Sequence, residues 1–209
     1  MSNSQPSYWD EATTHLMKRD RILRKIIPMY PDEWLQAPAD PFATLVRAII
    51  GQQVSRRTAE AVWARLIEFL DAQTTPQKVL SFNAETLRNV GLPKRKAEYI
   101  LDLATHFDQA KVDPDAWHDM DDEAIIKELC AIRGIGRWTA EMFLIFNLHR
   151  ADVLPLDDAG LIKAISQHYY SGEPVSRFEA REVAQAWTPW CTVATWYLWR
   201  SLGPVVESE

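Results

Sequence analysis

Apolar residues in this chain recur every three or four positions, and polar or proline-containing breaks separate the periodic stretches. Leu16, Leu23 and Ile27 mark a first helical face behind a cap at Asp10, and the prolines of IIPMYPDEW end it. DPFATLVRAII opens the next helix with Pro41 in its first turn. GQQVS interrupts the pattern, and Ser55 caps a helix whose Ala59, Val62, Trp63, Leu66 and Leu70 form one stripe. Thr75-Pro76 and Asn83 each start a short helix, and GLPKRKAEYILDLATHF puts Ala97, Ile100, Leu101 and Ala104 on one face. Asp121 or Asp122 caps EAIIKELCAI, and Ser176 with Glu179 has the spacing of a capping box. WTPW breaks that last helix and CTVATWYLWRSL makes the final one. No segment alternates with period two beside turn signals, so the pattern predicts an all-α protein.

At 209 residues there is room for one large domain or two small ones that share a core. Hydrophobic residues at 47% and charged residues at 25% are ordinary, but nine tryptophans exceed what a core needs and suggest aromatic surface for a ligand. The N-terminus lacks the apolar run of a secretory signal, and no stretch approaches the roughly 20 apolar residues of a membrane span. Cys130 and Cys191 make no disulfide framework and cannot hold an iron–sulfur cluster, which takes four thiolates. These features read as a protein of a reducing cytosol.

The net charge of −6 argues against a nonspecific polyanion binder, but its distribution is uneven. Acid gathers between Asp108 and Glu128, while Arg56 and Arg57, then Lys94, Arg95 and Lys96, then Arg133 and Arg137 bunch at predicted helix starts. Solvated helix faces would explain any one of these clusters.

Two stretches carry candidate chemistry. RGIGRWTAE joins two helices through Gly134, Ile135 and Gly136, so the amides of residues 134–138 are expected to point outward at a helix N-terminus, a geometry that suits phosphate. Arg133 and Arg137 add charge, and the helix behind them, apolar from Met142 to Phe146, is expected to be buried. A plain inter-helix turn would also account for one of the glycines. Twenty residues beyond Trp138, LPLDDAGL puts Asp157 and Asp158 before an apolar run. One of the two must cap the helix, leaving the other for a second role. The helix dipole favours charge on a carboxylate there.

Taken together, RAIIGQQVS, VGLPKRKAEYI, LCAIRGIGRWTAEMF, DVLPLDDAGL and WTPWCTVATWYLW resemble, in order and spacing, the helix–hairpin–helix DNA glycosylase superfamily in its 3-methyladenine DNA glycosylase II branch. The resemblance runs from about residue 40 to the C-terminus. It implies two helical lobes with a cleft between them: a helical barrel over 40–150 that contains the hairpin at about 122–148, and a second lobe of 1–39 plus 151–209. It implies a compact member without an N-terminal β domain. It also implies base excision of alkylated purines from double-stranded DNA by a monomer that needs no membrane and no cofactor, with room for a monovalent ion on the hairpin carbonyls.

By the same resemblance Asp158 is the catalytic carboxylate and Asp157 a cap or support. Trp138, Trp199 and Met142 line a lesion pocket, Trp187 and Trp196 being left to the core. Arg133, Gly134, Ile135, Gly136 and Arg137 hold DNA, and Gln53 fills the gap left by a flipped nucleotide. Trp138 stands where bifunctional members carry a Schiff-base lysine, so lyase activity is not expected. Cys191 stands where an arginine is frequent. A hairpin module that binds DNA without catalysis, and a glycosylase for deaminated or oxidised bases, are the alternatives; only the first dispenses with Asp158.

Overall fold

The computed structural model describes residues 5–36 and 40–203. Among them the regular structure is helical throughout, with no strand, in line with the periodicity. In chain order the α-helices are α1 (Trp9–Arg19), α2 (Leu23–Ile26), α3 (Pro41–Gly51), α4 (Arg56–Phe69), α5 (Pro76–Leu80), α6 (Ala84–Leu87), α7 (Lys94–Asp108), α8 (Asp122–Cys130), α9 (Arg137–Phe146), α10 (Ala159–Tyr169), α11 (Arg177–Ala184) and α12 (Cys191–Ser201). None is long and apolar enough to cross a membrane.

Side-chain caps set most of these boundaries. Asp40, Ser55, Thr75, Asn83 and Asp121 each accept an amide of the first turn that follows, and Ser176 and Glu179 close the capping box in both directions. The N-terminal helix differs from expectation. It starts after Tyr8, not at Asp10, and it stops at Asp20 instead of running on to Ile27. Asp20, 6% exposed, explains the stop: its Oδ1 accepts the amides of Ile22 (2.7 Å) and Leu23 (3.0 Å), while Oδ2 accepts from Tyr169 Oη (2.7 Å) and Trp187 Nε1 (2.9 Å). A buried carboxylate with four donors is worth more to the fold than two further turns of regular helix.

Contacts divide the chain into two compact units. One comprises residues 39–143, the other the described residues of 1–38 and 144–209. The second boundary thus falls inside α9, seven residues before the 150/151 boundary drawn from the sequence; the 39/40 boundary adjoins residues 37–39, which lie outside the described residues. The 39–143 unit is built on a chain of edge-on aromatic rings, Phe42 to Phe107 (5.3 Å), Phe107 to Trp117 (6.2 Å) and Trp117 to Phe143 (5.2 Å), with Leu45, Leu66, Leu87, Ile100 and Ile125 buried around it. In the other unit Trp9, Trp196 and Tyr197 form an aromatic group, and α12 is buried along most of its length. Trp187 and Trp196 are core residues, as their sequence context suggested.

Candidate functional site

The first candidate site lies within the 39–143 unit, at the turn between α8 and α9. The turn closes through Ile132 N to Leu129 O and Ile135 N to Ile132 O, both 3.1 Å. Ile135 is 5% exposed and plugs the turn from inside. One of the amides expected to face outward is therefore spent within the turn. The remaining first-turn amides of α9 have no acceptor in their own helix, as at any helix start.

The two glycines are not equivalent. Gly134 has φ +87, and a Cβ there would lie 2.1 Å from Cδ2 of Tyr99. Glycine is needed for the backbone angle and again for the close approach. Gly136 has no such angle, and a Cβ there would meet nothing within 4 Å.

The two arginines also separate. The Arg133 amide donates to Asp102 Oδ2 (2.8 Å), and its guanidinium lies 5.9 Å above the Tyr99 ring and 3.6 Å from Glu98. Arg95 flanks the same ring at 5.5 Å and donates through Nε to Tyr99 Oη. These two guanidiniums are exposed beside the turn. Arg137, expected from the resemblance to hold DNA, pairs with carboxylates: Nε donates to Glu141 (2.9 Å), and both terminal nitrogens donate to Glu123. The glutamates hold its guanidinium well above the usual arginine range. These bonds tie α9, through Arg137 and Glu141, to Glu123 of α8.

The GQQV loop, Gly51–Val54, lies against this turn. Gln52 Nε2 donates to the Gly134 carbonyl (2.8 Å), and Lys96 Nζ donates to the carbonyls of Ile50 (2.7 Å) and Gln52 (2.6 Å). Gln53 sits at the loop tip with φ +56, a left-handed angle uncommon for a residue with a side chain. Loop and hairpin line one groove of about 650 Å³, which Trp138, Tyr99 and Arg95 also edge. Trp138 is 45% exposed at its rim. The α9 helix is therefore not buried all round: Trp138, Met142 and Phe146, spaced by four, are its less buried stripe, while Phe143, Leu144 and Ile145 face inward.

The second candidate site lies within the other unit. Asp158, 9% exposed, is the N-cap of α10: its Oδ1 accepts the Leu161 amide (2.6 Å) and Trp199 Nε1 (2.8 Å). The cap offered for Asp157 is thus corrected, since Asp158 itself caps; Asp157 pairs at the surface with Arg177. The chain direction decides this: Pro155 O accepts the Asp158 amide (3.0 Å), which turns the backbone so that Asp158 is the last non-helical residue. Trp199 is half-buried and stacks at 5.7 Å and 13° on Phe146, itself 45% exposed. Gly160 makes room for this arrangement, because a Cβ there would come 3.1 Å from Asp158 Oδ1 and 3.2 Å from Trp199 Cδ1.

Of the three residues expected in a lesion pocket, Trp138 and Met142 lie in the first unit and Trp199 in the second. Tyr99 and Gln52 were not singled out from the sequence; Lys96 was read only as part of a basic cluster, and Phe146 only as part of a buried helix. Cys191 is buried, with its thiol pKa pushed up by burial, and its amide donates to Asp152 Oδ1 (3.1 Å), so a backbone contact holds this position. Among the described residues, no group of three or more His, Cys, Asp or Glu is placed to hold a metal ion.

Residues 46–189 match the HhH-GPD superfamily base excision DNA repair protein family, and the chain belongs to that superfamily. A crystal structure of a Bacillus halodurans DNA-3-methyladenine glycosidase superposes with a TM-score of 0.86 at 32% identity, covering 97% of this chain and 92% of that one. A Schizosaccharomyces pombe 3-methyladenine DNA glycosylase, solved with abasic DNA, has the same fold, with a TM-score of 0.81 at 24% identity over 95% of this chain and all of that one. Escherichia coli DNA-3-methyladenine glycosylase 2 is 29% identical over 174 residues, 78% of this chain. The chain spans 58% of the length of this relative and of a Bacillus subtilis one.

Proposed function

We propose that the protein is a monofunctional DNA glycosylase that releases alkylated purines from double-stranded DNA. The observation that carries this is the Asp158 carboxylate, held by the Leu161 amide and the Trp199 indole, with Trp199 stacked on a half-exposed Phe146. A glycosylase must turn its nucleotide out of the stack, at a cost of a few kcal/mol. The hairpin amides, with Arg133 and Arg95, grip the backbone and supply position and affinity. Arg137 keeps the hairpin rigid. Gln53, at the tip of the pinned loop, fills the space that the nucleotide leaves.

Cleavage builds positive charge on the sugar as the glycosidic bond opens, as in other oxocarbenium-like transfers. Asp158 stabilises that charge and orients the water that adds to the sugar. N3- and N7-alkylated purines are already cationic and leave without protonation, so no strong general acid is required. The electron-rich face of Trp199 favours such a ring by roughly 0.5–2 kcal/mol. The indole of Trp138, at the place of the Schiff-base lysine, offers no amine for a lyase step. The enzyme acts as a cytosolic monomer on alkylated duplex DNA and uses no redox or metal cofactor; a monovalent ion on the hairpin carbonyls would add affinity, not chemistry.

The test is chromatography of free bases after incubation with methylated DNA. Release of 3-methyladenine and 7-methylguanine is expected. Tight DNA binding with no released base would favour a non-catalytic hairpin module, and release confined to hypoxanthine or oxidised bases would move the substrate class.

A further inference from the structure

The GQQV loop is held by more than its own turn. Its residues follow the last turn of α3, where helical carbonyls lack intrahelical donors. Lys96 comes from the first turn of α7, 44 residues further on, and its ammonium donates to both Ile50 O (2.7 Å) and Gln52 O (2.6 Å). A cation is favoured at a helix C-terminus, and here it also fixes the loop's path. Burial lowers the Lys96 pKa, in keeping with an ammonium turned inward rather than into solvent. The Gln52 side chain then reaches the carbonyl of Gly134 (2.8 Å), the glycine whose positive φ and closeness to Tyr99 strain any other residue. What these bonds leave protruding is Gln53, at φ +56, and Val54, 39% exposed.

Exposed side chains on an unanchored loop would pay a large ordering cost on entering a duplex. Here the cost is met in advance by three hydrogen bonds, and one of them ends on the turn that grips the backbone. We infer that Lys96 and Gln52 are positioning residues that hold the Gln53–Val54 tip in fixed register with the hairpin, so that gripping the backbone already places the tip for opening the base pair. They touch neither the base nor the sugar; they act through Gln53 and Val54. This rests on the glycosylase reading above.

The register matters only when the pair resists opening. Single-turnover excision is therefore measured on duplexes carrying one 7-methylguanine, either paired with cytosine or facing an abasic site. Lys96→Met should slow excision from the paired duplex by about tenfold to a hundredfold, the value of hydrogen bonds from a charged donor. On the unpaired duplex it should slow it less than threefold. Gln52→Ala, a milder change that removes one neutral hydrogen bond, should show the same asymmetry with a loss of about twofold to tenfold. Lys96→Arg, which keeps a charged donor, should recover part of the lost rate. Thermal unfolding of each variant establishes that it is folded, and Gln52→Ala decides the matter if Lys96→Met is not. Equal losses on both duplexes, or no loss on either, would overturn the inference. Failure of the unaltered protein to release any base would instead defeat the glycosylase reading.

Discussion

Replacing Gly134 by alanine separates two costs that the structure assigns to one Cβ. The backbone angle of φ +87 costs an L-residue about 1–2 kcal/mol. The Cβ would also sit 2.1 Å from Tyr99 Cδ2 and 2.6 Å from Cγ, so the ring must retreat by more than an ångström from its place beside Arg95 and Arg133. Overpacking of this kind costs about 1–3 kcal/mol. The sum, about 2–5 kcal/mol, should lower the melting temperature by about 4–20 °C for a chain of this length. In a Tyr99→Ala background the ring is gone and only the backbone cost remains. Thermal unfolding of the four proteins of this cycle should therefore give a coupling of about 1–3 kcal/mol. Gly136→Ala, with open space and no positive φ, should stay within about 0.5 kcal/mol of the parent. If Gly134→Ala costs the same with and without the Tyr99 ring, or Gly136→Ala costs as much, the account of this turn is wrong.

The remaining predictions concern DNA and the reaction. Arg133→Ala should reduce the slope of log affinity against log salt by roughly one phosphate contact on damaged and undamaged duplexes alike. Arg137→Ala should leave that slope nearly unchanged and lower stability by about 1–3 kcal/mol, because the buried Glu141 loses its arginine; a full unit of slope lost with Arg137 would return it to the phosphate. Trp199→Phe keeps a ring for Phe146 and removes the donor to Asp158, so excision should fall about tenfold or more with little change in melting temperature. Trp199→Ala should in addition reduce the enhancement over spontaneous depurination more for cationic lesions than for neutral ones. Borohydride added during turnover should trap no covalent complex, and a trapped band would point to a lysine such as Lys163.

Much of this architecture is legible in the sequence because it is local. Caps at Ser55, Asn83 and Ser176 act on amides three residues away, and periodic apolar positions reveal helices whatever they pack against. Glycines within a charged turn announce the hairpin. What was not legible depends on partners far along the chain. Tyr99 lies 35 residues before the glycine it constrains, and Glu123 is 14 residues from the arginine it neutralises. Asp20 breaks the first helix because Tyr169 and Trp187 converge on it, and nothing near Asp20 signals that. Asp157 and Asp158 are alike to any local rule, and the Pro155 turn and the Trp199 donor distinguish them. Phe146 reads as core from its apolar neighbours, although it is 45% exposed beneath Trp199.

The central claim is that the charge of Asp158, not merely its capping oxygen, drives base release. Asp158→Asn isolates this, since the amide keeps an oxygen for the Leu161 amide and the Trp199 indole while losing the negative charge. Single-turnover release of 7-methylguanine from a defined duplex should fall by about a hundredfold or more in Asp158→Asn, the scale on which a transition-state charge stabiliser acts. Affinity for a duplex with an abasic-site analogue should hardly change, and Asp157→Asn should excise almost as the parent does. Near-parental release by Asp158→Asn, with the loss appearing in Asp157→Asn instead, would contradict the account.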